Sequence, residues 1–569
     1  MSIERYGEVP SSPVVMAACD SVYFIKYAPA FINSADKQNK NVHIHVINPT
    51  DEVLALACAL NSVVSIKVTY TFLDEDLSEL EHKYKQSEAT NRFELRALYA
   101  CLRFMTIPFL LPHAEKILVL DIDCLIMNDF EFPDQPIGYF PRESLPGTVG
   151  WEAEGSKVAA GAVYFDLRAL NIASSISNTL ETLPLQWFND QIALNHVLKQ
   201  VPDEMKHAFD SSFMDWHFIE GTTIWTGKGP RKVSDPVYVP KQIEFHDEIM
   251  NRITSQPNVI LKPRLDIQFK KGIVKSYGMK EPIRNHWEQF AKNYENDGYH
   301  IVESPRWMFN KQLEKLFTSA KKILVPHVEL HNYRGDHRTY YYMQTVFPWL
   351  FTVDPLGWAG GASYIESFDR DAVYSGDAFY MMKEKLGEGK FGHLQSNKTP
   401  WHLIEKDNYI VVPLQLPHDE TIKYHSDFSV EHFVTQLCHM ANTSDDIPQI
   451  VFKGHPVNFK SMAPLKDIIE GGFKNVLYVA DANFNELVSN AQAMFVLNGG
   501  SGQEAMLHEI PVVCFGRCDY APAVIQGDIE DPDQAWEDVK NDNWFNRLAL
   551  YKKWYDWYVN KVVIDTNDP

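Results

Sequence analysis

Lys116-Ile117-Leu118-Val119-Leu120-Asp121-Ile122-Asp123-Cys124-Leu125-Ile126 is the stretch on which the fold turns. Its apolar run, Ile117 to Leu120, reads as a buried strand in the middle of a parallel sheet. Two carboxylates follow at i and i+2, where the strand should end. Along a strand that spacing puts both side chains on one face, roughly 7 Å apart. Anions held so close need a cation between them, and hard oxygen ligands suit Mg²⁺ or Mn²⁺. Such an ion would neutralise a diphosphate leaving group. The alternative is a strand-end turn with two solvated aspartates.

Upstream, Pro13–Asp20 reads as a first buried strand ending in an acid, and Ser21–Ser34 follows with helical spacing. Val42–Asn48 alternates as a second strand, Val53–Leu60 reads as a helix, and the β-branched and aromatic run Val64–Phe72 reads as a third strand. Strand, helix and strand at this interval predict an open, mostly parallel α/β sheet. Glu94–Leu111 is a long amphipathic helix carrying Arg96, Tyr99 and Arg103, and it delivers the chain to the Asp121 strand. Ligands of such sheets gather at the carboxyl ends of strands. Asp20, Asp121 and Asp123 all stand there.

Downstream, residues 236–320 lack a clean period and read as a helical connector, with helical pieces at Trp287–Tyr294 and Trp307–Phe317. A second α/β pattern begins at Lys321. Ile323–His327, Leu350–Asp354, Asn408–Leu414, Gln449–Lys453, Asn475–Val479, Ala493–Leu497 and Pro511–Phe515 read as strands, with a helix over Val430–Ala441. This predicts doubly wound sheet, two lobes and a cleft. Lys453-Gly454-His455-Pro456 sets a cation and an imidazole directly after a strand. Asn498-Gly499-Gly500-Ser501-Gly502-Gln503-Glu504-Ala505 is a glycine-rich turn entering a helix, where backbone N–H groups can hold a phosphate.

The 569 residues exceed what one hydrophobic core serves, so at least two domains are expected. A content of 45% hydrophobic and 13% aromatic residues rules out wholesale disorder. A formal charge of -22 argues against a nucleic-acid surface. The seven cysteines are scattered and odd in number, which indicates neither a disulfide framework nor a zinc site. With no signal peptide and no apolar run of about 18 residues, a cytoplasmic protein is expected, at most at the inner face of a membrane through its partners.

The motifs carry two resemblances. Asp20 with Tyr23, Arg103 in Leu102-Arg103-Phe104-Met105-Thr106-Ile107-Pro108, the Asp121-Ile122-Asp123 stretch, Gly161–Leu167 and Asn189-Asp190-Gln191 resemble the GT-A glycosyltransferases related to glycogenin and to bacterial lipopolysaccharide galactosyltransferases. The likeness covers about 13–235. It implies that Asp121 and Asp123 hold Mn²⁺ (or Mg²⁺), that Asp20, Tyr23 and Arg103 cradle the nucleotide, and that Asp190 lies by the donor sugar. That family closes with a metal-binding histidine before a glycine and a lysine. This chain has Thr226-Gly227-Lys228-Gly229-Pro230-Arg231-Lys232 without the histidine, leaving Lys228 for the diphosphate and His217 or His246 as substitutes.

Phe452-Lys453-Gly454-His455-Pro456, Asn498–Ala505 and Pro511–Tyr520 resemble the capsule-polysaccharide family of GT-B transferases, which includes retaining β-Kdo transferases. That likeness covers about 320–525 and implies a CMP-sugar donor contacted by Lys453, His455, Ser501 and Glu504, with no metal. A carboxylate beside a phosphate would repel it, so Glu504 is assigned to the ribose hydroxyls. The retaining reaction needs a carboxylate nucleophile, for which Asp354, Glu366 and Asp419 are candidates.

The expected architecture is thus a GT-A-like single α/β domain over 1–235, a helical connector over 236–320 and a GT-B-like pair of Rossmann-type lobes over 321–569. The expected function is bifunctional glycosyl transfer in bacterial surface polysaccharide synthesis, from a UDP-sugar and a CMP-Kdo-like donor to a glycan or lipid-linked glycan acceptor. The alternative keeps one half catalytic and makes the other a glycan-binding or scaffolding module.

Overall fold

Apolar runs become interior strands where helices cover both faces of a sheet. The computed structural model describes residues 5–73, 95–142, 153, 157–183, 188–227, 229–264, 267–270, 273–276, 281–305, 309–327, 336–389, 399–405, 407–443, 446–456 and 459–567. The chain is α/β and divides into two units, Met1–Gly278 with His300–Ala320, and Met279–Tyr299 with Lys321–Pro569. Residues 236–320 are therefore shared between the units. They hold the strands Val259–Arg264 and His300–Pro305 as well as helices, so they are not the purely helical connector expected.

In the first unit an eight-stranded sheet runs, in spatial order, Arg5–Gly7, Val68–Leu73, Val42–Ile47, Val14–Asp20, Lys116–Leu120, Val158–Asp166, Ile137–Pro141 and Lys206–Ala208. The third strand begins at Val68 rather than Val64 because Ser65 and Ile66 give their N–H groups to the Asp36 carboxylate instead of to a neighbouring strand. Val42–Ile47 is buried along its whole length, histidines included. His43 and His45 fit there by bonding Thr69 and Thr71 at 2.9 Å. The chain steps outward from Val14–Asp20 through two strands, then returns to place Lys116–Leu120 on its other side. That reversal is a topological switch point, where ligands of open sheets bind. Asp20 and Asp121 end the two strands that flank it.

A small second sheet completes this end of the unit. Cys124–Ile126 pairs antiparallel with Ile224–Thr226, which carries Gly227 to the Asp123 carbonyl at 3.3 Å. The helix Tyr238–Thr254 packs on the helix Ser21–Lys37, with Asn33 donating to the Phe245 carbonyl at 2.8 Å and Arg252 pairing with Asp36 at 3.1 Å. Residues 238–254 thus belong to the first unit's core.

In the second unit a six-stranded, all-parallel sheet runs Val476–Val479, Gln449–Lys453, Tyr409–Pro413, Ala493–Val496, Val512–Cys514, Ile525–Gln526. Numbered along the chain, this is the 3-2-1-4-5-6 order of a Rossmann lobe. Side chains alternate between its faces. Tyr409, Val411, Val451, Met494 and Val496 enter one core, while Ile410, Val412, Ile450, Phe452 and Phe495 enter the other. Lys322–Pro326 pairs in parallel with Thr339–Gln344, which continues antiparallel through Leu350–Asp354 to Val563–Asp565. The helix Glu281–Asn296 covers these strands, stacking Phe290 on Phe351 with ring centroids 4.6 Å apart. The closing helix Trp544–Trp557 leaves the Rossmann lobe through a π-turn at Tyr558–Val562 and ends in the Val563–Asp565 strand.

Candidate functional site

At the first switch point the chain does not continue as a strand through Asp121-Ile122-Asp123. It turns, with the Cys124 N–H donating to the Asp121 carbonyl at 3.0 Å, so a turn and not strand alternation brings the carboxylates together. Arg103, buried on the helix Leu95–Ala114, donates to Asp121 through one guanidinium nitrogen and to Asp190 through the other at 2.9 Å. Asp190 lies in the first turn of the helix Asn189–Leu198. Phe188, just before it, has φ +73°, a conformation that strains a bulky residue and recurs at functional sites. Lys232 donates to Asp123 Oδ2 at 3.0 Å and lies 4.8 Å from the centre of the Tyr23 ring. Tyr238 Oη donates to the Asp123 carbonyl at 2.5 Å. The Asp20 carboxylate caps the helix that carries Tyr23, accepting from the Tyr23 N–H at 2.8 Å.

Burial, and then the charge of Asp121, pushes the Asp123 carboxyl up to about 6 against the pull of Lys232. Arg103 divides its charge between Asp121 and Asp190, so the Asp121–Asp123 pair stays short of positive charge. Among the described residues, protein hydrogen bonds use Asp121 Oδ1 and Asp123 Oδ2, leaving one oxygen of each carboxylate for another cation. Among the described residues no group of three or more His, Cys, Asp or Glu side chains is arranged to hold a metal ion. His217 is exposed, and His246 pairs with Asp247 at 3.1 Å on the helix Tyr238–Thr254. Neither supplies the third ligand. The donor set fits a hard divalent ion that takes one or two carboxylates and completes its shell with water and phosphate oxygens. Lys228 lies outside the described residues, as do Glu94 and Trp307 at the ends of two expected helices.

At the second switch point a cavity of about 390 Å³ opens over the carboxyl ends of Tyr409–Pro413, Gln449–Lys453 and Ala493–Val496. It is lined by Asp419, Lys453, His455, Ser501 and Glu504, all singled out in the sequence. Gln415 and Asn498, which follow the two strands flanking the switch point, lock together through bonds of 2.9 and 3.1 Å. Lys453 is buried, forms no ion pair among the described residues, and donates to the carbonyls of Gly454 at 2.9 Å and Ala480 at 3.5 Å. Burial pulls its pKa down, and pulls that of His455 down as well, so the imidazole is neutral near pH 7. The Glu504 carboxylate accepts no hydrogen bond among the described residues, and burial pushes it up to about 7. Neighbouring side chains crowd the turn at two of its glycines. A Cβ at Gly500 would lie 2.3 Å from Val346 Cγ1, and one at Gly502 2.4 Å from Tyr520 Oη.

The three candidate nucleophiles separate. Asp354 does not line the cavity; it is buried and accepts from the Leu356, Gly357 and Tyr364 N–H groups and from Ser363 Oγ at 2.6–3.1 Å, which makes it the staple of the 355–364 loop. Glu366 is exposed and outside the cavity. Asp419 lines it. Its Oδ1 accepts from the Thr421 N–H at 2.9 Å and hydroxyl at 2.7 Å, and its Oδ2 accepts no hydrogen bond among the described residues. Sequence reasoning missed Asp519, a buried carboxylate in the cavity wall that accepts from Gln503 at 3.0 Å and from Tyr364 and Tyr558 at 3.1 Å. The signal was present: it is an acid in the loop that follows the Val512–Cys514 strand.

Residues 369–543 match the family described as capsule polysaccharide biosynthesis protein. Capsule polysaccharide modification protein LipB of Neisseria meningitidis serogroup A is 28% identical over 123 residues, which is 20% of this chain. The match spans only 29% of that relative's length. Among solved structures, the beta Kdo 2,7 transferase of Thermosulfurimonas dismutans KpsC is 16% identical with a TM-score of 0.35, covering 55% of this chain and 97% of that one. A galactosyltransferase, LgtC, in complex with donor and acceptor sugar analogues is 13% identical with a TM-score of 0.31, covering 41% and 94%. The family match falls on the Rossmann lobe and its cavity. No helix among the described residues is long and apolar enough to cross a membrane.

Proposed function

We propose that this chain is a glycosyltransferase of capsule-type polysaccharide synthesis with two donor sites, one at each switch point. The carrying observation is the second cavity, where a buried lysine that forms no ion pair among the described residues stands beside a neutral imidazole and a glycine-rich turn. That set suits a nucleoside monophosphate leaving group, and a CMP-sugar of the Kdo class is the donor it fits. Lys453 and the turn stabilise the departing phosphate, and Glu504 accepts from the ribose hydroxyls.

Asp419 is the nucleophile because, of the three candidates, it alone lines the cavity. Its free oxygen attacks the anomeric carbon as the bond to the phosphate oxygen breaks, and the electron pair leaves with CMP. The acceptor hydroxyl then displaces Asp419, passing its proton to His455. Net configuration is retained.

At the first site, Asp20 and Tyr23 hold a nucleoside diphosphate-sugar and Asp190 faces the sugar, while Arg103, expected to cradle the nucleotide, is buried between Asp121 and Asp190 and fixes those two carboxylates instead. Asp121 and Asp123 would hold a divalent ion, which supplies charge for the diphosphate. Joining two activities in one chain raises the effective concentration of the intermediate acceptor at the second site.

The test is transfer from CMP-Kdo to a synthetic acceptor by wild type and Lys453→Met, with chelator present. Loss of the lysine should lower kcat about 10²–10³-fold, the scale of one preorganised charge-stabilising group. Equal rates would remove Lys453 from the mechanism. Turnover of UDP-sugars alone would overturn the CMP assignment.

A further inference from the structure

Lys232 occupies an unusual position for a lysine beside a pair of carboxylates expected to bind a metal. Its Cβ packs close against Gly227. Gly227 leaves no room for a side chain, since a Cβ there would stand 2.9 Å from Lys232 Cβ and from the Tyr238 ring. Pairing of Ile224–Thr226 with Cys124–Ile126 sets the start of this loop against the 121–123 turn. From that anchor the side chain reaches Asp123 Oδ2, and its ammonium also lies against the Tyr23 ring. The Lys232 side chain is 23% exposed, whereas that of Asp123 is 9% exposed, so the lysine is the more accessible member of the pair.

Arg103 differs in kind. Its planar guanidinium is buried and spans two carboxylates at once, which pins it. Lys232 makes one carboxylate contact from a flexible four-carbon stem, and an ammonium moves between partners without losing geometry. A divalent ion on Asp123 would repel an ammonium 3.0 Å away on the same carboxylate, so the two compete for it. A diphosphate arriving with the ion offers the displaced ammonium a new anion close by, over Tyr23.

We propose that Lys232 is an exchangeable counter-ion, paired with Asp123 until a divalent cation binds and then transferred to the diphosphate of the donor. This rests on the metal-assisted reading of the first site. It makes metal and nucleotide bind with positive coupling, and the coupling is reciprocal.

The experiment measures Mn²⁺ binding to the full chain by electron paramagnetic resonance of the free ion, with and without UDP, in wild type, Lys232→Met and Lys232→Arg. Lys232→Met should bind Mn²⁺ alone about tenfold more tightly, because the competing cation is gone. UDP should then strengthen Mn²⁺ binding far less than it does in wild type. Lys232→Arg, which keeps a cation on Asp123, should bind Mn²⁺ alone no more tightly than wild type. Mn²⁺ affinity and UDP coupling in Lys232→Met equal to wild type would overturn the exchange while leaving the metal site standing. UDP binding that ignores Mn²⁺ in all three proteins would overturn the metal reading and the exchange with it.

Discussion

Arg103 holds together three stretches that are far apart in sequence, its own helix, the Asp121 turn and the Asp190 helix. Replacing it by Met leaves buried Asp190 and half-exposed Asp121 without their cation, a loss of about 3–5 kcal/mol. Thermal unfolding of Arg103→Met should begin on the order of 5–10 °C below wild type. A melting curve unchanged from wild type would show that the bridge contributes little. Glu504 gives a pH-dependent counterpart. Its carboxyl is pushed up to about 7, so the folded chain binds a proton there that the unfolded chain has already released. Stability from this group is therefore full below about 4.3, the ordinary value, and falls as pH rises to about 7. Glu504→Gln should be more stable than wild type at pH 8 and gain nothing at pH 4. An equal difference at both pH values would place the effect elsewhere. Residue identity alone could not rank the carboxylates. Asp354 ends a strand and Asp419 and Asp519 lie in the loops after strands, and what separates them is which partners close around each oxygen.

Among elements, the glycine-rich turn depends on the hairpin loop between Thr339–Gln344 and Leu350–Asp354. Val346 from that loop fills the space a side chain at Gly500 would need, and the next atom is 3.8 Å away. Gly500 itself has φ −61°, so alanine meets no backbone obstacle. Gly500→Ala should lose about 1–3 kcal/mol by overpacking and weaken CMP binding, and Val346→Ala in the same chain should restore most of both. A double mutant no better than the single one would mean that the turn is glycine for another reason. The turn was legible in the sequence, but its partner was not. Thr339-Tyr340-Tyr341-Tyr342-Met343-Gln344 carries the aromatic enrichment of a strand, and its neighbour Leu350–Asp354 was recognised from a buried run. Val563–Asp565, a strand of three half-buried residues, has no local signature and exists because Leu350–Thr352 offers it an edge.

For the molecule as a whole, the boundaries matter. A fragment beginning near 320 discards the helix Glu281–Asn296, and with it Phe290 and Trp287, which pack on Phe351 and Tyr342. A fragment beginning at 279 keeps them. The longer fragment should therefore unfold cooperatively and bind CMP, and the shorter one should expose those aromatics, melt lower and aggregate. If 321–569 melts as high as 279–569, the helix is dispensable to the second unit.

The sequence by itself determined where the long apolar strands run and which residues stand at their carboxyl ends. Both follow from local signals: a buried strand needs a continuous apolar run, and a phosphate site needs glycines and cations just beyond it. It also determined that the chain is α/β. Only the tertiary structure decided the order of strands across each sheet, and hence that Asp20 ends beside Asp121, and Gln415 beside Asn498, at the switch points. It alone put Lys232 on Asp123, Arg103 between Asp121 and Asp190, and Asp354 outside the cavity. These pairings join residues 9 to 109 positions apart, and such contacts are chosen by how whole elements pack, which no short window of sequence encodes.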